Sequence, residues 1–234
     1  MADELYLIKG ETLTGIGDAI RQVTGKTGTI KVENFKSEIL NNVSSMPVYH
    51  TVTFWGFNQE VLATYQVKDG ESVVYTGPTP ISTNDLMFYE WNKATTNVKS
   101  DMIVTPVGYG TWWAQDYFTV EYKNYYPGYA VYDYTGNSTK MLIPTTDRAG
   151  NTIVGIECNF SVSLISVTIP PSCQNVAYSD FRNCTNLQDV YFLGSKSDWY
   201  SFIGRSALSA AYSSQFNFWI APRIHTTDGC IINS

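Results

Sequence analysis

Side chains that could carry acid–base or nucleophilic chemistry are sparse in this chain. Its 234 residues include two histidines, His50 and His225. Neither belongs to an H-E-x-x-H pair or a similar metal-binding group, and no G-x-S-x-G nucleophile elbow is present. Both fall in predicted strands, where a structural role is the simpler interpretation. The sequence therefore predicts a protein that is not an enzyme and has no catalytic residues, metal site or cofactor.

Four carboxylates lie among aromatic residues, as carboxylates do in sugar-binding sites: Glu90, Asp116, Glu121 and Asp133. Two of them at a suitable separation could hydrolyse a glycosidic bond. The alternative is a solvated strand face. The sequence does not give the separations that would decide between the two, and we favour the solvated face.

Nucleotide and nucleic-acid binding are both disfavoured. A Walker A loop ending at Gly25-Lys26-Thr27, or a dinucleotide fingerprint starting at Gly15, would need a small residue where the chain has Ile20. The 15 Lys and Arg residues against 21 Asp and Glu leave a net charge of −6, which is a poor match for a phosphate backbone. No stretch predicts membrane insertion.

The N-terminal residues Met1 to Leu5 lack the basic and apolar regions of a secretory signal, so we expect synthesis in the cytoplasm. A reducing compartment favours free thiols. We therefore expect all four cysteines to be buried and unpaired: Cys158, Cys173, Cys184 and Cys230.

Residues 4–45 have the apolar spacing of two short helices. Apolar side chains recur every three or four residues and form a narrow seam of coiled-coil width: Leu13, Ile16, Ile20 and Val23 on the first helix, then Val32, Phe35 and Ile39 on the second. Thr12 is the predicted N-cap of the first helix and Gly25 its C-cap. Such a seam is a poor core for one hairpin, so we expect it to pack against copies of itself.

After the polar linker that ends at Pro47, apolar and polar residues alternate. This pattern predicts strands at 51–55, 61–65, 72–75 and 88–91, with turns at Asn58-Gln59 and Asp69-Gly70.

An aromatic-rich connector follows the alternating strands. Four of its aromatic residues lie next to glycines or a Pro-Gly pair, which predicts exposed loops and a candidate binding face: Trp112, Trp113, Tyr125 and Tyr126. The alternative, which we favour for the connector as a whole, is a packing layer between two β domains.

Short runs of β-branched residues recur between Ile143 and Phe192, each closed by proline or a polar turn. One such unit cannot bury its own apolar face, so units of this kind stack. Leu187 should then point into the core of the stack.

Three segments resemble known families. Leu7-Ile8-Lys9-Gly10 through Gly25-Lys26-Thr27-Gly28 resembles an N-terminal module of virion proteins from phages of Gram-positive bacteria, with Gly17 in place of the usual alanine. Residues 49–107 resemble the Listeria–Bacteroides repeat, a β-grasp-like module, although Tyr89-Glu90 stands where a glycine usually precedes the tryptophan. Ile143-Pro144, Val167-Thr168-Ile169 and Phe181-x-x-Cys184-x-x-Leu187 resemble the BspA-type leucine-rich repeat of surface proteins.

These resemblances imply a mainly β fold with a short N-terminal α-helical hairpin, in which a small β-grasp-like module precedes a short leucine-rich-repeat-type β solenoid. The expected domains are a helical docking module at 1–45, the β module at 46–107, the aromatic connector at 108–136 and the repeat segment at 137–234.

The implied function is that of a virion protein that attaches a phage to the bacterial surface. The helical seam would bind other virion proteins and further copies of the chain, with a trimer expected. The β modules would project outward and bind a cell-surface glycan or protein, with no role for nucleic acid or membrane insertion. The alternative is a head, collar or baseplate decoration protein that contacts only other virion proteins.

Overall fold

The chain forms two compact units, Met1–Tyr49 and His50–Ser234. The computed structural model describes residues 9–43, 46–82, 86–110, 117–125, 127–158, 160, 163–176, 181, 184–206 and 221–233. Strands make up 37% of the structure and helices 18%. This confirms the predicted mainly β fold with an N-terminal helix.

The first unit is helical. Helix α1 spans Gly10–Thr24 and ends at Gly25, whose left-handed backbone (φ 69°) lets its N–H donate to the Arg21 carbonyl, as predicted for a C-cap. The helix begins two residues before Thr12, so the predicted N-cap is wrong. Lys9 occupies that position and makes no side-chain cap hydrogen bond. A 3₁₀ turn at Val32–Asn34 leads into helix α2, Phe35–Val43.

The two helices meet at Gly17 of α1, which faces Phe35 of α2. A Cβ atom added at Gly17 would lie 3.5 Å from the Phe35 ring, which is ordinary van der Waals contact. Ile20 is buried beside this contact on α1. An ion pair of 2.6 Å between Lys26 and Glu38 joins the interhelical turn to α2.

The second unit begins with a three-stranded sheet of order β2-β1-β4, formed by β1 (Tyr49–Trp55), β2 (Val61–Lys68) and β4 (Met102–Val104). Strands β1 and β4 are parallel. The turns lie where predicted, with positive φ at Gln59 and Gly70. The predicted strand at 72–75 is wrong, because the Val73 backbone bonds to Thr95 in a loop instead of joining a sheet.

Strand β3 (Leu86–Trp91) pairs with β5 (Pro106–Gly110) in an antiparallel ribbon. A bulge between Phe88 and Glu90 leaves Tyr89 outside the register. Bulges re-aim the side chains that follow them. The bulge therefore sets the direction of the Glu90 and Trp91 side chains. It lies at Tyr89-Glu90, where the similar repeat family has a glycine.

From Phe118 onward the chain alternates between two sheets. Strands β7 (Gly128–Tyr134), β9 (Ile153–Ile156) and β11 (Asn175–Val176) are parallel neighbours in one sheet, to which β6 (Phe118–Lys123) adds an antiparallel edge. Strands β8 (Lys140–Leu142), β10 (Ser166–Ile169), β12 (Asp189–Phe192) and β13 (Arg223–Thr226) are parallel in the other, which we call the long sheet. Helix α3 (Lys196–Ser206) follows β12, and β14 (Gly229–Ile232) pairs antiparallel with β13.

The strand register divides the long sheet into an apolar face and a polar one. Val167, Val190 and Ile224 lie side by side and are buried in the core that the two sheets and α3 share. Leu187 belongs to the same core and is 4% exposed, which confirms its predicted position.

The opposite face of the long sheet carries polar and aromatic residues and is covered by β3. One row of this face, which we call the polar row, consists of Lys140, Ser166, Asp189 and Arg223 in neighbouring strands. Two residues further along, the Thr168 hydroxyl donates to the Phe88 carbonyl on β3 at 2.6 Å. Strand β3 thus sits on the polar side of the long sheet.

The four cysteines are not joined in disulfides; Cys158, Cys173 and Cys184 are buried, whereas Cys230 is partly exposed. Among the described helices, none is long and apolar enough to cross a membrane.

Candidate functional site

The predicted aromatic binding face falls largely outside the described residues. Tyr125 follows β6 and is 70% exposed. Trp112, Trp113 and Tyr126 lie outside the described residues, as does Asp116. The candidate face stays a prediction.

The predicted helical seam is only partly buried within its own unit. Ile20 is 5% exposed, and Leu13 and Phe35 are partly buried. Four other members are open to solvent: Ile16 at 40%, Val23 at 63%, Val32 at 54% and Ile39 at 44%. Within the helical unit the seam therefore leaves apolar surface uncovered.

Of the predicted carboxylates, Glu121 lies on β6 and pairs with Lys123 at 3.1 Å, while Asp133 is exposed on β7. Glu90 differs, because it lines a groove of about 600 Å³ between β3 and the polar row. We call this the β3 groove. Its lining comes from β3 and the loop after it, from Ile165, and from the polar face of the long sheet. Its volume lies within the range of about 300–1,000 Å³ that is usual for small-molecule sites.

Charges in the β3 groove are paired with one another. The Lys140 ammonium donates to Glu90 across the groove. On the sheet, Arg223 donates to both oxygens of Asp189, from Nε at 2.6 Å and from Nη2 at 2.9 Å. A bidentate pair of this kind fixes both side chains. These four groups cancel in charge and are held by their partners.

His225 contacts Asp189 from the neighbouring strand β13, on the same face of the long sheet. Its Nε2 lies 3.0 Å from Asp189 Oδ1, and its Nδ1 lies 2.8 Å from the Gly77 carbonyl oxygen. Both partners are acceptors, so both ring nitrogens donate and the ring is an imidazolium. Burial lowers the pKa of His225, but the hydrogen bond to Asp189 is among the interactions that outweigh it and raise the pKa to about 9.

The electrostatics around Asp189 keep it ionised. Burial raises the pKa of its carboxyl, but the hydrogen bonds from His225 and Arg223 hold it below the usual value. Because both oxygens already accept from cations, Asp189 acts as a fixed counter-ion and not as a proton donor at neutral pH.

His50, the other histidine, lies in β1. Its Nε2 is 2.8 Å from Asp69 Oδ1, and Asp69 also pairs with Lys99. Both histidines thus lie within hydrogen-bond distance of an aspartate. The burial of His225, which is 0% exposed, was not predicted from the sequence.

Ser166 and Tyr191 contribute hydroxyls to the lining of the β3 groove. Ser166 is 8% exposed and Tyr191 is 6% exposed, and both line the groove. Burial first, and the charge of Asp189 next, raise the pKa of Tyr191 well above its usual range, and the nearby indole of Trp91 offsets only part of this rise. The Tyr191 hydroxyl therefore stays protonated.

Trp91 contributes a third polar atom to the groove. Its Nε1 is shielded from solvent and interacts with the Tyr191 hydroxyl, which lowers the Tyr191 pKa in part. Its ring packs on Phe88 and Tyr75 and is thereby fixed in place. The groove combines an aromatic wall, neutral hydroxyl and N–H groups, and charges that are already paired.

Sequence reasoning placed Glu90 among candidate residues and missed Ser166, Asp189 and Tyr191. A signal was present in the repeats: Ser166-Val-Thr-Ile and Asp189-Val-Tyr-Phe align residue for residue, as the register shows. That alignment would have placed Ser166 and Asp189 in one row. A metal centre has no support in the described residues, which hold no group of three or more His, Cys, Asp or Glu side chains placed to bind an ion.

Comparisons of the chain with protein-family models, with curated proteins and with solved structures found no match.

Proposed function

We propose that this chain is a non-enzymatic structural protein of a phage virion, which projects from the particle and attaches it to the bacterial surface. The observation that carries the proposal is the helical unit, whose sequence resembles a phage virion module and whose apolar seam is left open at Ile16, Val23 and Ile39. An apolar surface on so small a unit is suited to assembly. We expect the protein to be located on the virion.

We further propose that the second unit contains a β-grasp-like module followed by a short leucine-rich-repeat-type β solenoid. A β-grasp-like module is supported by the central place of β1 between β2 and a parallel β4. A short leucine-rich-repeat-type solenoid is supported by the regular alternation of parallel strands between two sheets from β7 to β12. Both kinds of module present surface on a rigid scaffold, which suits recognition better than catalysis.

The seam should close on further copies of the chain, and we propose a trimer. Rotational symmetry lets three helical units bury their seams against one another without leaving an open end. Several copies on one particle would convert weak contacts with a cell into firm attachment.

Light scattering on the full chain tests the assembly. We expect a mass three times the 26.2 kDa of one chain, and a single-chain mass when Val23 and Ile39 are replaced by serine. Val61→Ser is the matched control, because Val61 is equally exposed but lies in β2. A wild-type protein that is monomeric at micromolar concentration would contradict the proposed self-association.

Attachment is tested with labelled protein on bacterial cells. Saturable binding, and inhibition of phage adsorption by added protein, are the expected results. If the chain is present in purified particles but never binds cells, the alternative of a head, collar or baseplate decoration protein replaces the proposal.

A further inference from the structure

We propose that a cavity beside the β3 groove, which we call the aromatic pocket, binds a quaternary ammonium group of the choline type. Four aromatic side chains in its lining define the pocket: Tyr89, Tyr117, Phe118 and Tyr134. The inference deepens the proposed attachment function and rests on it for the source of the ligand, a polymer of the bacterial surface that carries such groups.

The walls of the pocket come from three strands that the fold brings together. Tyr89 is the residue that the bulge of β3 leaves outside the register. Phe118 begins β6 and pairs in register with Tyr134 at the end of β7. The loop after β7 and strand β8 complete the lining. The cavity of about 100 Å³ is well below the range of about 300–1,000 Å³ usual for whole ligands, so it suits one end group of a larger molecule.

The aromatic rings are arranged as walls that attract a cation. The centroids of Tyr117 and Tyr134 lie 6.5 Å apart with their planes inclined by 52°, and Tyr117 stands at the rim with 38% exposure. Tyr134 packs on Phe118 at 5.0 Å, which fixes the inner wall. The face of an aromatic ring carries partial negative charge, and several rings around one cavity are the arrangement that recognises quaternary ammonium groups.

The polar atoms of the pocket are paired with one another, which favours a cation that donates no hydrogen bonds. The Tyr89 hydroxyl lies 3.0 Å from the Ser138 hydroxyl, and the Ser138 backbone bonds to the Tyr134 hydroxyl. Burial raises the pKa of Tyr134, so its phenol stays neutral at pH 7. A primary ammonium would need acceptors for three N–H groups. A quaternary ammonium needs none and contacts the rings through its methyl groups.

The charges around the pocket allow a cation to enter. Among the lining residues, Lys140 is the one cationic side chain, and its ammonium is bonded to Glu90. Asp133 on β7 is exposed and adds a negative charge. The cations Arg223 and His225 lie on β13, three strands or about 14 Å from β8, and both are bonded to a carboxylate. The net charge of −6 on the whole chain also favours a cationic ligand.

Ligand-observed NMR titration of the full chain with three probes tests the pocket. The probes are choline, ethanolamine and 3,3-dimethylbutan-1-ol, which is the uncharged isostere of choline. We expect saturable binding of choline and weaker binding of ethanolamine. The isostere should bind at least about tenfold more weakly than choline, because it has the same shape but no charge for the rings to attract. This comparison needs no variant and so does not depend on how a variant folds.

Substitution of the rim tyrosine tests the role of the rings. Tyr117→Leu should weaken choline binding about three- to tenfold, whereas Tyr117→Phe keeps the ring and should bind choline within about twofold of the wild type. Tyr122→Leu is the matched control, because Tyr122 is an exposed tyrosine of β6 outside the lining. The thermal midpoint of each variant checks its fold.

No saturable binding of choline up to about 10 mM, binding of the isostere as tight as that of choline, or equal losses in Tyr117→Leu and Tyr122→Leu would overturn the inference. Saturating choline should also release labelled protein from bacterial cells. Cells that keep the protein in saturating choline would overturn the pocket as the attachment site and leave the attachment function standing. Choline binding by a protein that attaches to no cells would support the pocket and refute the attachment function.

Discussion

Raising the pH should destabilise the unit His50–Ser234 through one buried ring. The His225 imidazolium donates to Asp189 and to the Gly77 carbonyl, and these contacts tie β13 to β12 and to the loop before β3. Its ring also stacks on Tyr191 at 4.4 Å and on Tyr75 at 5.5 Å. Loss of the proton would leave one ring nitrogen facing an acceptor with nothing to donate, within a fully buried site.

The size of the effect follows from the pKa. The pKa of His225 is raised from 6.5 in a model peptide to about 9 in the folded chain. A group whose folded pKa is raised contributes stability that is complete below its unfolded pKa and is lost as the pH rises through the folded value. At 1.36 kcal/mol per unit, the free energy of unfolding should fall by about 3 kcal/mol between about pH 6 and pH 9.5.

Four groups around the ring keep the same charge across this interval. Burial raises the pKa of Tyr75 and Tyr191, Asp189 stays ionised, and the hydrogen bond to Asp189 raises the pKa of Arg223. The thiol of Cys230 adjoins the ring, so the measurement is repeated in Cys230→Ala.

Urea unfolding monitored by tryptophan fluorescence measures the effect at each pH. His225→Gln should be less stable than the wild type at pH 6 and should lack the fall of about 3 kcal/mol by pH 9.5. His50→Gln is the control and should retain it. A wild-type stability that is flat across the interval, or the same slope in His225→Gln, would refute the assignment of the imidazolium.

Three further substitutions test other parts of the structure. Leu187→Ala should cost about 2–5 kcal/mol by opening a cavity in the shared core, measured by urea unfolding; a loss below 1 kcal/mol would contradict its burial. Gly17→Ala should stabilise the helical unit by about 0.5–1 kcal/mol, because the added methyl group fits against Phe35, and helical circular dichroism on heating would show it. Joint replacement of Trp112 and Trp113 by alanine should reduce cell binding with little change in the thermal midpoint; a midpoint lowered by many degrees would mean that the two residues belong to the core.

Local patterns predicted the local structure well. Gly25 ends α1 because only a residue tolerant of positive φ fits there, and Gly70 forms its turn for the same reason. Leu187 is buried because the repeat pattern places it on the apolar side. The start of α1 was misplaced because Lys9 carries no capping side chain that the sequence could reveal.

The β3 groove could not be predicted, since it joins segments that are far apart in the chain. Glu90 and Lys140 are 50 residues apart, and Asp189 pairs with Arg223 at a separation of 34. Alternation in a strand shows which side chains share a face. It does not show which other strand covers that face, and the bulge at Tyr89 that aims Trp91 leaves no mark in the periodicity.

The way β3 lies across the long sheet restricts how this protein can change its length in evolution. In a stack in which each unit contacts only its neighbours, a unit can be added without disturbing distant contacts. Here β3 holds three strands at once, since Glu90 binds Lys140 on β8 while Phe88 binds Thr168 on β10 and packs on Tyr191 of β12. A unit inserted between β8 and β10 would move Lys140 about 4.8 Å from Glu90 while Phe88 stayed in place. Inserting a strand under β3 would therefore break at least one of these three contacts, so β3 fixes the spacing of the strands beneath it.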